Sequence, residues 1–214
     1  MDIKAIILDL DQTLTTDTAS WLQFTKLLGA DYDTHLSIFN KFKAGEISYK
    51  EAKGDLINLW RGSSKLDREH IKNLFQKVEL RDGAIDAVQY LKQKYKICII
   101  SGAIDIFVET IAKRLKIEDR YASTKFFFDE KDELIDFQYT LSRGEEKLGF
   151  FRDFCIKNNL SPKQCVAIGD GDSDLPIFQK VAFPILFVAQ ETSPELLITI
   201  KKKLESWNDI QKYL

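Results

Sequence analysis

The feature that most constrains this chain is a set of short apolar runs, at residues 3–8, 97–100, 166–168 and 185–188, with helix-patterned sequence between them. Runs of that length are too short for buried helices and read as strands covered on both faces. The covers are supplied by helical stretches at 84–94, about 104–115 and 142–158, the last opening on Ser142 and Glu145 at the spacing of a capping box. Phe126-Phe127-Phe128 adds an aromatic strand, and residues 129–132 read as a hairpin turn into a partner at 134–139. Strands alternating with helices indicate an α/β domain built on a parallel sheet. Directly after the first strand the texture changes. From about residue 18 to 78, apolar residues recur at helical spacing, as in Leu56, Leu59 and Trp60 or Ile71, Leu74, Phe75 and Val78. Gly29, Gly45 and Gly62 punctuate this stretch into about four helices. A chain of 214 residues holds one domain with a sizeable insertion, and the helical block is that insertion.

Several function classes fall away on residue content. Lysine and arginine total 31 against 33 acids, a net charge of −2, so there is no basic excess to neutralise nucleic-acid phosphates. Nothing approaches the roughly 20 apolar residues that span a bilayer. No signal-peptide pattern opens the sequence, and the expected location is the cytoplasm. Cys98, Cys155 and Cys165 form no C-x-x-C pair, and Cys98, flanked by isoleucines, reads as a small core residue. The two histidines, His35 and His70, cannot build an H-E-x-x-H zinc site, and both are expected at the surface. A serine hydrolase needs its nucleophile on a G-x-S-x-G turn, which is absent.

The acids are placed differently. In parallel α/β sheets ligands bind beyond the carboxyl ends of the strands. The first run leads into Asp9-Leu10-Asp11-Gln12-Thr13, the second into Ser101-Gly102, and the third into Gly169-Asp170-Gly171-Asp172-Ser173-Asp174. Two acid clusters and a serine therefore meet at one edge. Carboxylates that close repel each other unless a cation joins them. A few hard oxygen ligands suit Mg²⁺, which keeps several waters and takes up a substrate phosphate. One carboxylate can then attack phosphorus while a second serves as acid and base. Lys147, in the early turns of its helix, sits where the macrodipole disfavours a cation and so needs an anionic partner, a role open to a bound phosphate. The run Asp170-x-Asp172-x-Asp174 is no EF-hand, because Leu175 and Val181 occupy the required glycine and glutamate positions. Asp172, off the matched positions, reads as a solvated acid, and Lys201-Lys202-Lys203 as a solvated face.

Taken together these motifs resemble the haloacid dehalogenase superfamily, specifically its phosphatases with a helical cap, and most of all the phosphoserine phosphatase-like group. The match is carried by Asp9, Asp11 and Thr13 in D-x-D-x-T, by Ser101, by Lys147, and by Gly169, Asp170 and Asp174 in G-D-x-x-x-D. The resemblance implies a Rossmann-like three-layer core at residues 1–14 and 81–214, with an all-helical cap at 15–80. It implies a Mg²⁺-dependent phosphomonoester hydrolase acting on a small phosphorylated metabolite through an aspartyl phosphate on Asp9. Asp11 would be the acid/base, with its backbone carbonyl on the metal. Asp9 and Asp170 would be carboxylate ligands, and Asp174 would hold metal-bound water or orient Lys147. Ser101, Gly102, Lys147 and Thr13 would bind the phosphoryl group. A phosphomutase of the same superfamily and a receiver-type phosphorylation module use related residues and remain the alternatives.

The resemblance also bears on the leaving group. Phosphoserine phosphatases hold the amino group with a glutamate just after the first motif and the carboxylate with a cap arginine. The matching positions here are Thr18, beside Asp17, and about Leu56, with no arginine in the block before Arg61. Free phosphoserine is therefore expected to be a poor substrate. Trp21, Phe24 and Phe39 are expected to pack the interior of the cap, and the first two could also form an apolar wall.

Overall fold

Strand β1 (Ala5–Leu8) is buried at every position and hydrogen-bonds in parallel to a strand on either side. The computed structural model describes residues 2–16 and 19–214. Around β1 it builds a seven-stranded sheet in the order β4-β3-β2-β1-β5-β6-β7. The strands are β2 (Lys96–Ile104), β3 (Asp119–Phe128), β4 (Leu134–Gln138), β5 (Cys165–Gly169), β6 (Phe183–Phe187) and β7 (Lys203–Leu204). All pair in parallel except β4, which returns antiparallel to β3 through the hairpin. The α/β class expected from the alternating pattern is the fold observed.

The period-two alternation of strands divides the interior into two layers. Ile6 and Leu8 of β1, Ile97 and Ile99 of β2, and Val166 and Ile168 of β5 face one side. There they pack with Val88 and Leu91 of α5 (Ala84–Lys92), with Ile111 and Leu115 of α6 (Asp105–Leu115), and with Trp207. Ala5 and Ile7, Cys98 and Ile100, and Cys165 and Ala167 face the other side. They meet Phe151 and Phe154 of α7 (Arg143–Lys157), Ile177 of α8 (Leu175–Phe178) and Leu196 of α9 (Pro194–Thr199). Helix, sheet and helix form three layers.

Between β1 and α5 the chain makes the four helices α1 (Ser20–Leu27), α2 (Tyr32–Lys43), α3 (Tyr49–Ser63) and α4 (Arg68–Gln76). Their starts are written in the sequence. Asp31 and Asp67 accept from backbone N–H groups at 2.7 and 2.8 Å, and Ser48 with Glu51 forms a full capping box. The chain leaves and re-enters the sheet at neighbouring points, where Thr15 and Leu80 form an isolated antiparallel bridge. The helices pack on the β3–β4 hairpin. Trp21 stacks on Trp60 at 5.7 Å and meets Phe137 edge-on at 4.8 Å, and Phe24 meets Phe126 at 5.5 Å.

Four local expectations are corrected. Strand β2 runs on to Ile104, so Ser101 and Gly102 lie inside it, where its register against β3 shifts between Ser101 and Ile104. Pairing to β3, which continues after the pairing to β1 ends at Ile99, carries the strand through this dipeptide. Ser142 precedes α7 but caps nothing with its side chain. His35 is buried rather than exposed, because α2 turns His35 and Ile38 inward. Its Nδ1 lies 2.5 Å from Thr25 Oγ1, which also accepts from Trp60 Nε1 at 2.8 Å. His70 is half-buried against Ser64. The three cysteines are buried and unpaired in disulfides. Among the described residues, no helix is long and apolar enough to cross a membrane.

Candidate active site

The strand order reverses direction at β1, which sits between β2 and β5 although all later strands lie further out. A crevice forms beyond the carboxyl ends at such a switch point. Asp9 follows β1 and Asp170 follows β5, and the Asp9 N–H donates to Ile168 O at 2.9 Å, so the two loops leave the sheet in register.

Lys147 joins the acids. It projects from the first turns of α7, is 2% exposed, and its Nζ donates to Asp9 Oδ1 and to Asp174 Oδ1, each at 2.8 Å. Its partners are therefore carboxylates of the chain itself: Asp174, which the resemblance offered as orienting Lys147, and Asp9, where the helix-dipole argument looked to a bound phosphate. Burial alone pulls the ammonium pKa down, but Asp174 and Asp9 outweigh it and the net shift is upward. Lys147 is a fixed cation.

Asp174 is held at both oxygens: Oδ1 accepts from Lys147, and Oδ2 accepts from the Gly171 N–H at 3.3 Å. That placement explains Gly169. A Cβ there would collide with the Asp174 carboxylate, so only glycine lets the acid reach Lys147. Asp170 Oδ1 accepts from Thr13 Oγ1 at 2.8 Å, and its backbone carbonyl accepts from Thr192 Oγ1 at 3.1 Å. Thr13 is fully buried, and its hydroxyl donates to Asp170. The Thr13 carbonyl in turn accepts from Trp207 Nε1 at 2.9 Å.

Oxygens of Asp9, Asp170 and Asp174 all lie within 4.8 Å of one another. Burial, reinforced by the charges of Asp9 and Asp174, pushes Asp170 up to about 8, and burial pushes Asp174 up to about 6. Lys147 offsets Asp9 and Asp174, whereas Asp170 receives only neutral donors of its own. Uncompensated charge on hard oxygen donors fits a small divalent cation. Asp11 stands outside this cluster. Its Oδ2 accepts from the Ser20 N–H at 3.0 Å, and its Oδ1 is shielded without a hydrogen-bond partner. Burial raises its pKa to about 7, and the Asp9 charge adds to that. A carboxylic acid that holds its proton near neutrality can give it away.

Ser101 is buried, with its Oγ accepting from the Ala103 N–H at 3.2 Å, and Gly102 is half-buried beside it. A Cβ on Gly102 would stand 3.1 Å from Arg143 Cδ. Sequence reasoning missed Arg143, which leans on this edge and donates to Tyr139 Oη at 2.6 Å. It also missed Arg81, whose Nε donates to Gln12 O at 2.8 Å. That bond helps to hold Gln12 at φ 59°, a left-handed conformation in the loop carrying the acids. The loop is pinned further by Gln12 Nε2 donating to Glu191 Oε2 at 2.8 Å. Asp172 is exposed and accepts from Ser193 Oγ, away from the cluster.

Comparison with known proteins agrees with this geometry. Residues 6–179 match the model of the haloacid dehalogenase-like hydrolases. A phosphoserine phosphatase of Archaeoglobus fulgidus is 26% identical over 88% of this chain, which spans only 53% of that relative. One of Albidiferax ferrireducens is 26% identical, covering 91% of this chain and 83% of its own. Among solved structures, a substrate-bound phosphoserine phosphatase superposes with a TM-score of 0.75 at 20% identity, over 100% of this chain and 99% of the other. A Salmonella enterica hydrolase of the haloacid dehalogenase family gives 0.75 at 18% identity, over 94% of this chain and 66% of the other.

Proposed function

The chain belongs to the haloacid dehalogenase-like hydrolase family, and on that premise we propose that it is a Mg²⁺-dependent phosphatase of small phosphorylated metabolites. The observation that carries this reading is the buried Asp9–Lys147–Asp174 ion-paired chain with Asp170 beside it at the switch point of the sheet. Residues 1–14 and 81–214 form the catalytic core in this reading, and residues 15–80 form its cap.

Asp9 attacks phosphorus through a carboxylate oxygen. The bond from phosphorus to the leaving oxygen breaks, and Asp11, protonated near neutral pH, delivers its proton to that oxygen. Water then gives a proton to Asp11 as its oxygen attacks the aspartyl phosphate, which frees inorganic phosphate and restores Asp9. Lys147 holds Asp9 in place and offsets charge on the transferring group. Ser101 and Gly102 line the same edge for the phosphoryl oxygens. Asp9, Asp170 and the Asp11 backbone carbonyl would hold Mg²⁺, with Thr13 aligning Asp170 and Asp174 aligning Lys147. Bound Mg²⁺ supplies positive charge to the phosphoryl oxygens during transfer.

The test is phosphate release from a panel of phosphomonoesters and acetyl phosphate, with Mg²⁺ and without any sugar-phosphate acceptor. Wild-type protein should release phosphate, lose that activity in chelator and regain it on addition of Mg²⁺. Asp9→Asn should release none while unfolding cooperatively like the wild type. Wild-type turnover by Asp9→Asn would overturn the mechanism.

A further inference from the structure

Helices α1, α2 and α3 and strand β4 enclose a cavity of about 120 Å³ that the catalytic cluster does not use. Its walls are apolar, built mainly by Trp21, Ile38, Phe39, Ala52, Leu56 and Phe137. Its rim touches the catalytic edge at two points. Ala19 precedes Ser20, whose N–H holds Asp11, and Arg143 lies against Gly102.

We propose that this cavity receives the leaving group, and that the substrates are phosphomonoesters of uncharged aliphatic or alicyclic alcohols. The inference rests on the phosphatase reading above and adds the chemistry of the alcohol.

Charge gives the first argument. Among the described residues no carboxylate lines the cavity, and the charged ones are Lys53 and Arg143. Lys53 is already neutralised by Asp136 at 2.6 Å. A zwitterionic alcohol would bring an ammonium group into a space where no described residue offers an anion to meet it, and burying an unpaired charge is prohibitive. Leu56, 7% exposed, stands in the wall at the position where the resemblance looked for an arginine. Thr18 and Asp17, the other positions in question, lie outside the described residues.

Size gives the second. An apolar cavity of ~150 Å³ accepts a benzene molecule. The volume here therefore suits roughly one ring or a short alkyl chain. The indole N–H of Trp21, a residue of the wall, is buried without a partner. Each methylene moved from water into such a site contributes about fourfold in binding.

The experiment compares kcat/KM for methyl, n-butyl and cyclohexyl phosphate, O-phospho-L-serine and acetyl phosphate. The three alkyl alcohols are of similar basicity, so their ratios report binding of the alcohol and not leaving-group activation. Butyl and cyclohexyl phosphate should exceed both methyl phosphate and phosphoserine by at least tenfold. Ala52→Leu, which fills the cavity, should lower the ratio of cyclohexyl to methyl phosphate by at least tenfold. If the variant does not fold, the wild-type series decides alone. Equal rates for methyl and butyl phosphate, or phosphoserine as the best ester, would overturn the inference while leaving the phosphatase intact. Release from none of the five compounds would overturn both readings together.

Discussion

Two buried regions meet at the edge of this sheet, and they are held together by opposite means. In the acidic cluster the side chains have specific polar partners: Lys147 between Asp9 and Asp174, Thr13 on Asp170, and the Gly171 N–H on Asp174. In the helical layer above it the contacts are mostly shared and apolar, with Trp21, Phe24, Trp60, Phe126 and Phe137 in mutual ring contact at 4.8–6.2 Å. The difference is one of tolerance. Aromatic packing depends on volume and survives hydrophobic exchange, whereas a buried charge that loses its partner keeps its desolvation cost. Substitution should therefore be felt more sharply in the first region than in the second.

The largest effect should come from breaking the charge cluster at its centre. Lys147→Met retains most of the side-chain volume but leaves Asp9 and Asp174 without their cation. Loss of one partner from a buried ion pair costs about 3–5 kcal/mol, which denaturant unfolding without metal should register. Saturating Mg²⁺ should recover part of that loss, because a ligand bound only to the folded state adds stability. Phosphate release should fall by roughly 10²–10³, as on removal of one charge-stabilising donor. A variant as stable and active as the wild type would mean that the cluster is not held by charge.

The helical layer contains one polar test of the same contrast. Burial lowers the His35 pKa to about 4, against about 6.5 in an unfolded chain. Between those values the unfolded state binds the additional proton, so stability is full above about 6.5 and falls as pH drops toward 4. The slope is about 1.4 kcal/mol per pH unit and the total at most about 3 kcal/mol. His35→Gln should remove that component. The difference in unfolding free energy between the two proteins should therefore grow in favour of the variant as the solution is acidified from 7 to 4. The carboxylates of the cluster are common to both and cancel in the difference. A difference independent of pH would show that His35 is solvated in the folded protein.

Legibility in the sequence divides along the same line. Asp9 and Asp170 could be read because acids following apolar strands have few structural reasons to be there. Lys147 could be read from its unfavourable place in a helix and Asp174 as its partner from the resemblance, but its pairing with Asp9, 138 residues away in sequence, could not. Arg143 carried the same signal, a cation in the first turn of α7, and the argument made for Lys147 would have found it. Arg81 and Trp207 carried none: each supports the Asp9–Thr13 loop by one bond from a distant segment. The sheet was legible from its apolar runs, whereas the extension of β2 through Ser101-Gly102 depended on its pairing to β3, which only the fold supplies. The inward face of His35 was lost for a related reason. Only the packing of α2 against Trp60 distinguishes it from a surface histidine.

The finest test separates the two glycines that flank Asp170. At Gly169 an added methyl would run into the Asp174 carboxylate, while at Gly171 nothing lies within 4 Å. Gly171 also has φ −128° and ψ 169°, which any residue adopts, so its glycine is not sterically required. Gly169→Ala should displace Asp174 from the Gly171 N–H and from Lys147. Disturbing a supporting partner of this kind costs about 10–100-fold in metal affinity or activity, or about 1.4–2.7 kcal/mol. Gly171→Ala should stay within about 0.5 kcal/mol of the wild type in stability, as an unconstrained substitution does, with its rate little changed. The measurement is kcat and Mg²⁺ half-saturation for both variants beside their unfolding curves. Equal damage from the two would mean that the loop needs backbone freedom throughout. Damage confined to Gly169→Ala would tie activity to the placement of the Asp174 carboxylate.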